Sequence, residues 1–317
     1  MESGDWPVHA RYTPFRSVHI GRNCSMRLLR GTAVIFALFL VTIFPLSAQQ
    51  LYITNEGHGD IELWNLSTNT LSTLYTIGVG ANFNPDDLIL NSAGQLIYSI
   101  PKTGNVNLYD PVAGTNTTLA TGIGAARDLA IEPGGQTMLI AKYSGPAEIV
   151  RYNFALGTWS IFVPKTAKLG TCDGIAYDEY GNLYAFANHN TIVQINPATG
   201  AIMATLVLEP HSGINGGDGL TYDSPTKSLW GTHNGTLGGG VLQIPVSPSG
   251  FASTNPGFTF YPTPGIGNLD GIKSDGKGNL YIGAIWSAIV YNIPTNTITH
   301  SITVKGADGV SLVPGTY

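Results

Sequence analysis

The chain has 317 residues, a formal charge of −5 and only 11% charged residues, but it contains 40 glycines and 19 prolines. Soluble domains carry about 25% charged residues and about 7% glycine. This composition therefore excludes a coiled coil, a basic nucleic-acid binder and a charge-driven disordered chain. The length is sufficient for one or two domains.

The first element along the chain is an export signal in residues 26–48. Residues 26–30 form a short, positively charged segment, residues 34–46 form an apolar run, and small residues follow. A membrane-spanning helix needs about 20 apolar residues, whereas this order is typical of a secretory signal peptide. We predict cleavage after Ala48 and a secreted or periplasmic protein. A short membrane anchor is the alternative, and residues 1–25 are an upstream extension outside the fold.

The predicted mature part, residues 49–317, has a net charge of −8 and one cysteine, Cys172. The negative charge disfavours nucleic acid as a partner. A single thiol forms no internal disulfide, so the fold depends on its hydrophobic core. We expect a monomer with no membrane span once the signal is removed.

One unit of about 40–50 residues recurs along the mature part. Its clearest copy is Asp173-Gly-Ile-Ala-Tyr-Asp-Glu-Tyr-Gly-Asn-Leu-Tyr-Ala-Phe. The opening residue recurs, 38 to 52 residues apart, as Asp86, Arg127, Asp218, Asp270 and Asp308. Such a period predicts a propeller or a similar array. Alternating apolar residues bounded by Gly, Asn, Asp and Pro predict four short antiparallel strands in each unit.

The two ends of the mature part complete one further unit. Residues 51–53 match the second strand of the unit, and residues 308–317 match only its first strand. Joining the ends closes a ring and removes free sheet edges. We therefore predict an all-β fold, a six-bladed β-propeller of four-stranded antiparallel blades, closed by one C-terminal strand plus three N-terminal strands.

The opening residues of the units are predicted to surround one mouth of the central channel. The carboxylates are Asp86, Asp173, Asp218, Asp270 and Asp308, and Arg127 stands at the sixth position. At about 8 Å and an effective dielectric near 20, each neighbouring pair repels by roughly 2 kcal/mol. Raised pKa values, a bound Ca²⁺ or Mg²⁺, or hydrogen bonds from loop amides would each relieve this repulsion.

Loops between the second and third strands of each blade are expected on the same face, which makes this face the default location of a site. They supply candidate ligand contacts, in addition to Arg127, at Lys142, Asn190, Asn234 and Trp286. They also supply two candidate catalytic imidazoles, His189 and His233. Asp178 and Asp275, which precede a Gly turn, are predicted to form turns on the opposite face.

The pattern Asp-Gly-Ile-x-x-Asp-x-x-Gly-Asn-Leu-Tyr resembles the NHL-repeat and gluconolactonase (senescence-marker) group of propellers over residues 50–317. In the lactonase members a divalent ion sits in the channel mouth and an Asp of an Asp-Gly pair is one of its ligands. The resemblance implies this role for Asp173, Asp218 and Asp270.

Two hypotheses about function follow. The first is a secreted, non-enzymatic propeller that binds a small molecule or a protein partner at its channel-mouth face without a cofactor. The second is a divalent-metal-dependent lactonase or lyase-like enzyme that uses the same face with His189 or His233. Fold analogy cannot decide between binding and catalysis.

The signal assignment predicts the N-terminus of the exported protein. Expressed in a secreting host, the mature chain should begin at Gln49 or within a few residues of it, because signal peptidases cut after small residues. N-terminal sequencing of the exported protein measures this. Retention of residues 1–25 would contradict both the signal peptide and its start at Met26.

Overall fold

The computed structural model describes residues 49–143, 146–167, 169–208, 216–234, 238–251 and 257–316. They form β-strands and two single-turn 3-10 helices, Ala81–Phe83 and Lys165–Ala167. Among these residues no helix is long and apolar enough to cross a membrane. The predicted extension and signal peptide, residues 1–48, lie outside the described residues.

The strands form six antiparallel sheets, which we call blades 1 to 6 and describe from the innermost strand outward. Blade 1 contains β4 (Leu88–Leu90), β5 (Leu96–Ile100), β6 (Asn105–Asp110) and β7 (Thr115–Ala120). Blade 2 contains β8 (Ala126–Ile131), β9 (Thr137–Lys142), β10 (Glu148–Asn153) and β11 (Thr158–Val163). Blade 3 contains β12 (Cys172–Tyr177), β13 (Leu183–Ala187), β14 (Thr191–Ile195) and β15 (Ile202–Val207).

The remaining blades include one with an extra strand and one built from both ends of the chain. Blade 4 contains β16 (Leu220–Asp223), β17 (Ser228–His233), β18 (Gly240–Ser247), β19 (Gly250–Phe251) and β20 (Thr259–Pro262), the last two both paired with β18. Blade 5 contains β21 (Leu269–Ser274), β22 (Asn279–Ala284), β23 (Ser287–Asn292) and β24 (Thr297–Thr303). Blade 6 contains β25 (Ala307–Leu312), then β1 (Gln50–Asn55), β2 (Asp60–Asn65) and β3 (Thr70–Thr76).

Blade 6 confirms the predicted closure. Strand β25 pairs antiparallel with β1, with Leu51 opposite Leu312 and Ile53 opposite Val310. The innermost strands contact one another in the order β4, β8, β12, β16, β21 and β25, and β25 contacts β4. The ring is therefore continuous, and the fold is a six-bladed β-propeller.

Backbone contact between neighbouring innermost strands explains the glycine of the repeated Asp-Gly pair. A Cβ on Gly219 would lie 2.4 Å from the carbonyl oxygen of Asp270 in the next blade. A Cβ on Gly271 would lie 2.7 Å from the carbonyl oxygen of Asp308. Because Cβ atoms do not approach an oxygen so closely, the residue after the opening Asp must be small here.

The second half of the repeat builds the turn between the first two strands. The Asp178 Oδ1 atom accepts hydrogen bonds from the backbone N–H groups of Tyr180 at 2.9 Å and Asn182 at 2.8 Å. Its Oδ2 atom accepts one from the Tyr184 hydroxyl at 3.0 Å. Asp275 makes the equivalent contacts in blade 5. The prediction that these two aspartates form turns is confirmed.

The hydrophobic core lies between the blades. Aromatic side chains at equivalent positions of the second strands are fully buried, namely Tyr98, Tyr184, Trp230 and Tyr281. Each belongs to a cluster that spans two blades; Tyr281 of blade 5, for example, shares one with Leu51 and Trp64 of blade 6. Adjacent blades therefore stabilise each other, and losing one strand exposes a neighbour.

Closure predicts that a chain lacking residues 308–317 does not fold stably. The deletion removes β25, exposes the edge of β1 and uncovers the face of blade 5 that packs against it. Thermal melts followed by circular dichroism should show no cooperative transition near that of the full chain. A deletion of residues 314–317, which lie beyond β25, is the matched control and should melt within a few degrees of the full chain. Equal melting of both truncations would contradict the closure scheme.

Candidate functional site

Six equivalent positions at the start of the innermost strands carry the ring of ionisable side chains. Asp86 and Asp218 lie two residues before β4 and β16, and Arg127, Asp173, Asp270 and Asp308 each occupy the second residue of their strand. The five aspartates line one small cavity together with Asp87, Asp128 and Lys273. Its volume of about 20 Å³ is sufficient for one water molecule or one monatomic ion. The structure thus brings the predicted carboxylates together.

Arg127 neutralises one side of this ring. Its guanidinium lies 3.0 Å from Oδ2 of Asp86 and 3.6 Å from Oδ1 of Asp173. The same group stacks over the ring of Tyr143, 4.5 Å from its centroid. Burial opposes the charge of Arg127, but the surrounding carboxylates outweigh burial and raise its pKa. Arg127 is therefore a permanent cation held between blades 1 and 3.

On the opposite side of the ring, no cation among the described residues forms an ion pair with Asp270 or Asp308. Burial raises the pKa of Asp308 well above its usual range, and it raises the pKa of Asp270 to about 7. No donor among the described residues reaches Asp308 Oδ2. With a pKa of about 7, Asp270 is protonated in part of the molecules near neutral pH.

The described residues offer no turn capping at the ring. Within them, no backbone N–H donates to the carboxylates of Asp86, Asp173, Asp218, Asp270 or Asp308, although turn aspartates elsewhere accept two such bonds. Of the three ways to relieve the repulsion, loop amides make no contribution here. The repulsion between the ring carboxylates is relieved instead by raised pKa values and by the Arg127 guanidinium.

A second charged layer lies directly below the ring and was not foreseen from the sequence. Lys273 Nζ lies 3.4 Å from Asp87 Oδ1 and 3.6 Å from Asp128 Oδ1. Asp87 Oδ2 accepts a hydrogen bond from the N–H of Leu129 at 3.0 Å, and Asp128 Oδ2 accepts one from the N–H of Ile175. These aspartates replace the glycine of the Asp-Gly pair, which is the sequence signal that identifies them. Each ties its blade to the next.

A chain of polar contacts crosses the mouth above the ring. His189 Nε2 lies 3.3 Å from the Tyr143 hydroxyl, and its Nδ1 lies 3.6 Å from Asp218 Oδ1. Asn234 donates to Asp218 Oδ2 at 3.0 Å and also bonds the backbone of Leu269. The adjoining carboxylate of Asp218 raises the pKa of His189, despite its partial burial. Asp173, His189 and Asp218 each offer a ligand atom within 4.8 Å of the others.

The other predicted site residues are placed differently. His233 is fully buried at the end of β17, with its ring edge-on to Phe260, and burial lowers its pKa. Lys142 pairs with Glu148 at 2.7 Å. These placements favour His189 over His233 for proton transfer, and they leave Lys142 with a neutralised charge.

Two predicted ligand contacts remain on loops of the channel-mouth face. Asn190 follows His189 in the loop between β13 and β14, and it accepts a hydrogen bond from the Thr191 hydroxyl at 3.1 Å. Trp286 lies between β22 and β23 with 61% of its surface exposed. An exposed indole and an amide are suited to contact an organic ligand at the rim.

Comparison with known proteins supports the fold and leaves the function open. No family model matches the chain, and no curated protein matches it either. Among solved structures, a chain of a nidogen/laminin complex aligns with a TM-score of 0.68 at 16% identity, over 85% of this chain and all of that chain. Virginiamycin B lyase from Staphylococcus aureus aligns with a TM-score of 0.56 at 16% identity, over 82% of this chain and 85% of that one.

A third similar structure is the hydrazine synthase of Kuenenia stuttgartiensis, with a TM-score of 0.60 at 15% identity over 78% of this chain and 74% of that one. These similarities confirm, at the level of fold, the resemblance to six-bladed propellers. At such identities they say nothing about substrate or partner.

The raised pKa of Asp270 predicts a pH-dependent effect of Asp270→Asn. The pKa of Asp270 is about 7 in the fold against about 4 when unfolded. The folded form therefore binds an extra proton, and the stabilisation is present below pH 4 and lost as the pH rises through 7. Measured by denaturant unfolding in the presence of a chelator, Asp270→Asn should differ less from the wild type at pH 5 than at pH 8. Its stability relative to the wild type should rise by roughly 1–3 kcal/mol between pH 5 and pH 8.

Asp110→Asn is the control for this measurement. Asp110 is a half-buried turn residue outside the channel, and its Oδ1 atom accepts two backbone N–H bonds that the amide oxygen of an Asn can also accept. It should show no such gain between pH 5 and pH 8. A fall in the relative stability of Asp270→Asn between pH 5 and pH 8 would mean that the ionised carboxylate is itself a stabilising group.

Proposed function

We propose that this protein is an exported propeller that binds a positively charged ligand at its channel-mouth face. Ca²⁺ or Mg²⁺ is the simplest such ligand. The observation that carries the proposal is the imbalance of charge around the cavity. Seven aspartates converge there with Lys273, and Arg127 is the cation of the upper ring. A ligand that brings positive charge relieves the remaining repulsion.

The donor set fits a hard divalent cation. Carboxylate oxygens are the preferred ligands of Ca²⁺ and Mg²⁺, and Asp308 Oδ2, which is buried, has no hydrogen-bond donor among the described residues. Asp173 and Asp218, which have ligand atoms within 4.8 Å of each other, are the residues that would hold the ion, and Asp270 and Asp308 line the same cavity. When bound, the ion would supply positive charge to an anionic or carbonyl oxygen of a ligand.

The rim supplies the contacts that an organic ligand or a protein partner needs. Trp286 is exposed, while Tyr143 presents a ring already stacked against Arg127. Aromatic residues beside a charged centre are typical anchors of binding sites. This combination supports a ligand with an apolar body and a charged or coordinating end.

A second candidate function is enzymatic, and His189 favours it. This imidazole lies between a carboxylate, Asp218, and a hydroxyl, Tyr143, at the opening of the channel. A histidine that is oriented by a carboxylate, which also raises its pKa, can accept or return a proton. The solved propellers with similar folds include one named as a virginiamycin B lyase. A lactonase or lyase-like reaction at this chain's channel mouth would use His189 in this role.

Cation binding is measured by thermal melts of the mature protein with a chelator and then with Ca²⁺, Mg²⁺ or spermidine. Saturating cation at about a hundredfold excess over Kd should raise the free energy of unfolding by about 2.7 kcal/mol. Asp173→Asn and Asp218→Asn should each abolish the gain by removing a candidate ligand.

Asp110→Asn, which alters a carboxylate outside the channel, should retain the full gain. A shift with spermidine alone would assign the site to an organic cation in place of a metal. No shift with any of the three cations would overturn the proposal.

A further inference from the structure

A second group of metal-ligating side chains lies outside the channel, on the hairpin of β1 and β2. His58 stands in the turn, and Asp60 and Glu62 lie on one side of β2, because alternate residues of a strand share a face. Each of the three offers one ligand atom, and these atoms all lie within 4.8 Å of one another. The arrangement brings one imidazole nitrogen to two carboxylates.

The carboxylates of this group are buried without the donors that a buried charge requires. Glu62 is 7% exposed, and burial raises its pKa. Its Oε1 atom accepts a hydrogen bond from Asn55, but among the described residues no donor reaches its Oε2 atom. Asp60 Oδ1 is buried and has no donor there either. Such oxygens are costly unless a cation or a proton is supplied.

Asn55 contacts two of the three residues, the side chain of Glu62 and the backbone of His58. Its Nδ2 atom donates to Glu62 Oε1 at 3.1 Å, and its Oδ1 atom accepts the backbone N–H of His58 at 3.1 Å. Asn55 is itself 2% exposed. Residues that fix ligands through such bonds are a regular part of protein metal sites. Gly59, with φ of 75°, allows the tight turn that directs the chain back into β2.

The hairpin group and the cluster at the channel mouth have no ligand residue in common. The charges that act on Glu62 are those of Asp60 and His58. Of the residues in this turn, Glu56 is the one whose charge acts on the ring, at Asp86, Asp270 and Asp308. Occupancy of the hairpin group and occupancy of the ring can therefore be tested independently.

The donor types select the class of metal. Ca²⁺ and Mg²⁺ take oxygen ligands, whereas imidazole suits Zn²⁺ and neighbouring transition ions. We propose that His58, Asp60 and Glu62 bind one divalent transition ion of the Zn²⁺ type, with Asn55 as a positioning residue. Three protein ligands leave the fourth tetrahedral position to water or to an external ligand.

The test uses mature protein carrying Asp173→Asn and Asp218→Asn, stripped of metal, so that the cluster with His189 does not contribute. Titration calorimetry should find one Zn²⁺ per chain and no comparable binding of Mg²⁺. Adding His58→Ala or Glu62→Gln should weaken Zn²⁺ binding by about tenfold or more. Co²⁺ in place of Zn²⁺ should give visible absorption bands that disappear with His58→Ala.

Two controls keep the outcome unambiguous. His58 is exposed, so His58→Ala should not change the melting temperature of the metal-free protein. His300→Ala removes another exposed histidine and should leave Zn²⁺ binding intact. Zn²⁺ binding that persists in His58→Ala, or is absent from the starting protein, would overturn this inference. Neither result affects the channel-mouth proposal, which rests on the response to Ca²⁺, Mg²⁺ or spermidine.

Discussion

The close approach of the six innermost strands is the constraint on which the rest of the molecule depends. Around the channel these strands touch backbone to backbone, so a Cβ after the opening residue would collide with the next blade at Gly219 and Gly271. Where the chain places Asp87 and Asp128 at that position, each carboxylate reaches across to a backbone N–H of the next strand. The same positions thus close the ring and concentrate negative charge along its axis.

Much of the fold could be predicted because its information is local and repeated. The period of the opening residue gives the number of blades, and Asp178 forms its turn through contacts within six residues of itself. The closure could be predicted as well, since residues 51–53 and residues 308–317 match different strands of one unit. None of these inferences needs knowledge of which side chains meet across blades.

The site could be predicted only in part, because it depends on contacts between blades. The five ring aspartates were identified through their shared position, but the pairing of Lys273 with Asp87 joins residues 186 apart in sequence. His189 and His233 have the same kind of loop position in the sequence, and only packing separates them: one lies beside Asp218, and the other is buried against Phe260. Hydrogen-bond partners and burial determine what each side chain can do chemically, and the sequence repeat specifies neither.

Charge at the channel is coupled to closure of the ring by the position of Asp308. This residue lies in β25, the strand that completes blade 6, and burial together with the charge of Asp270 in blade 5 raises its pKa. Two ionised carboxylates at that junction would repel the closing strand from its neighbour, whereas a proton or a bound cation holds them together. Binding a cation would therefore stabilise the contact where the first and last parts of the chain meet. Without a ligand, repulsion at the site weakens this junction, and with a bound cation the junction is stabilised. The stability of the whole propeller therefore responds to the ligand.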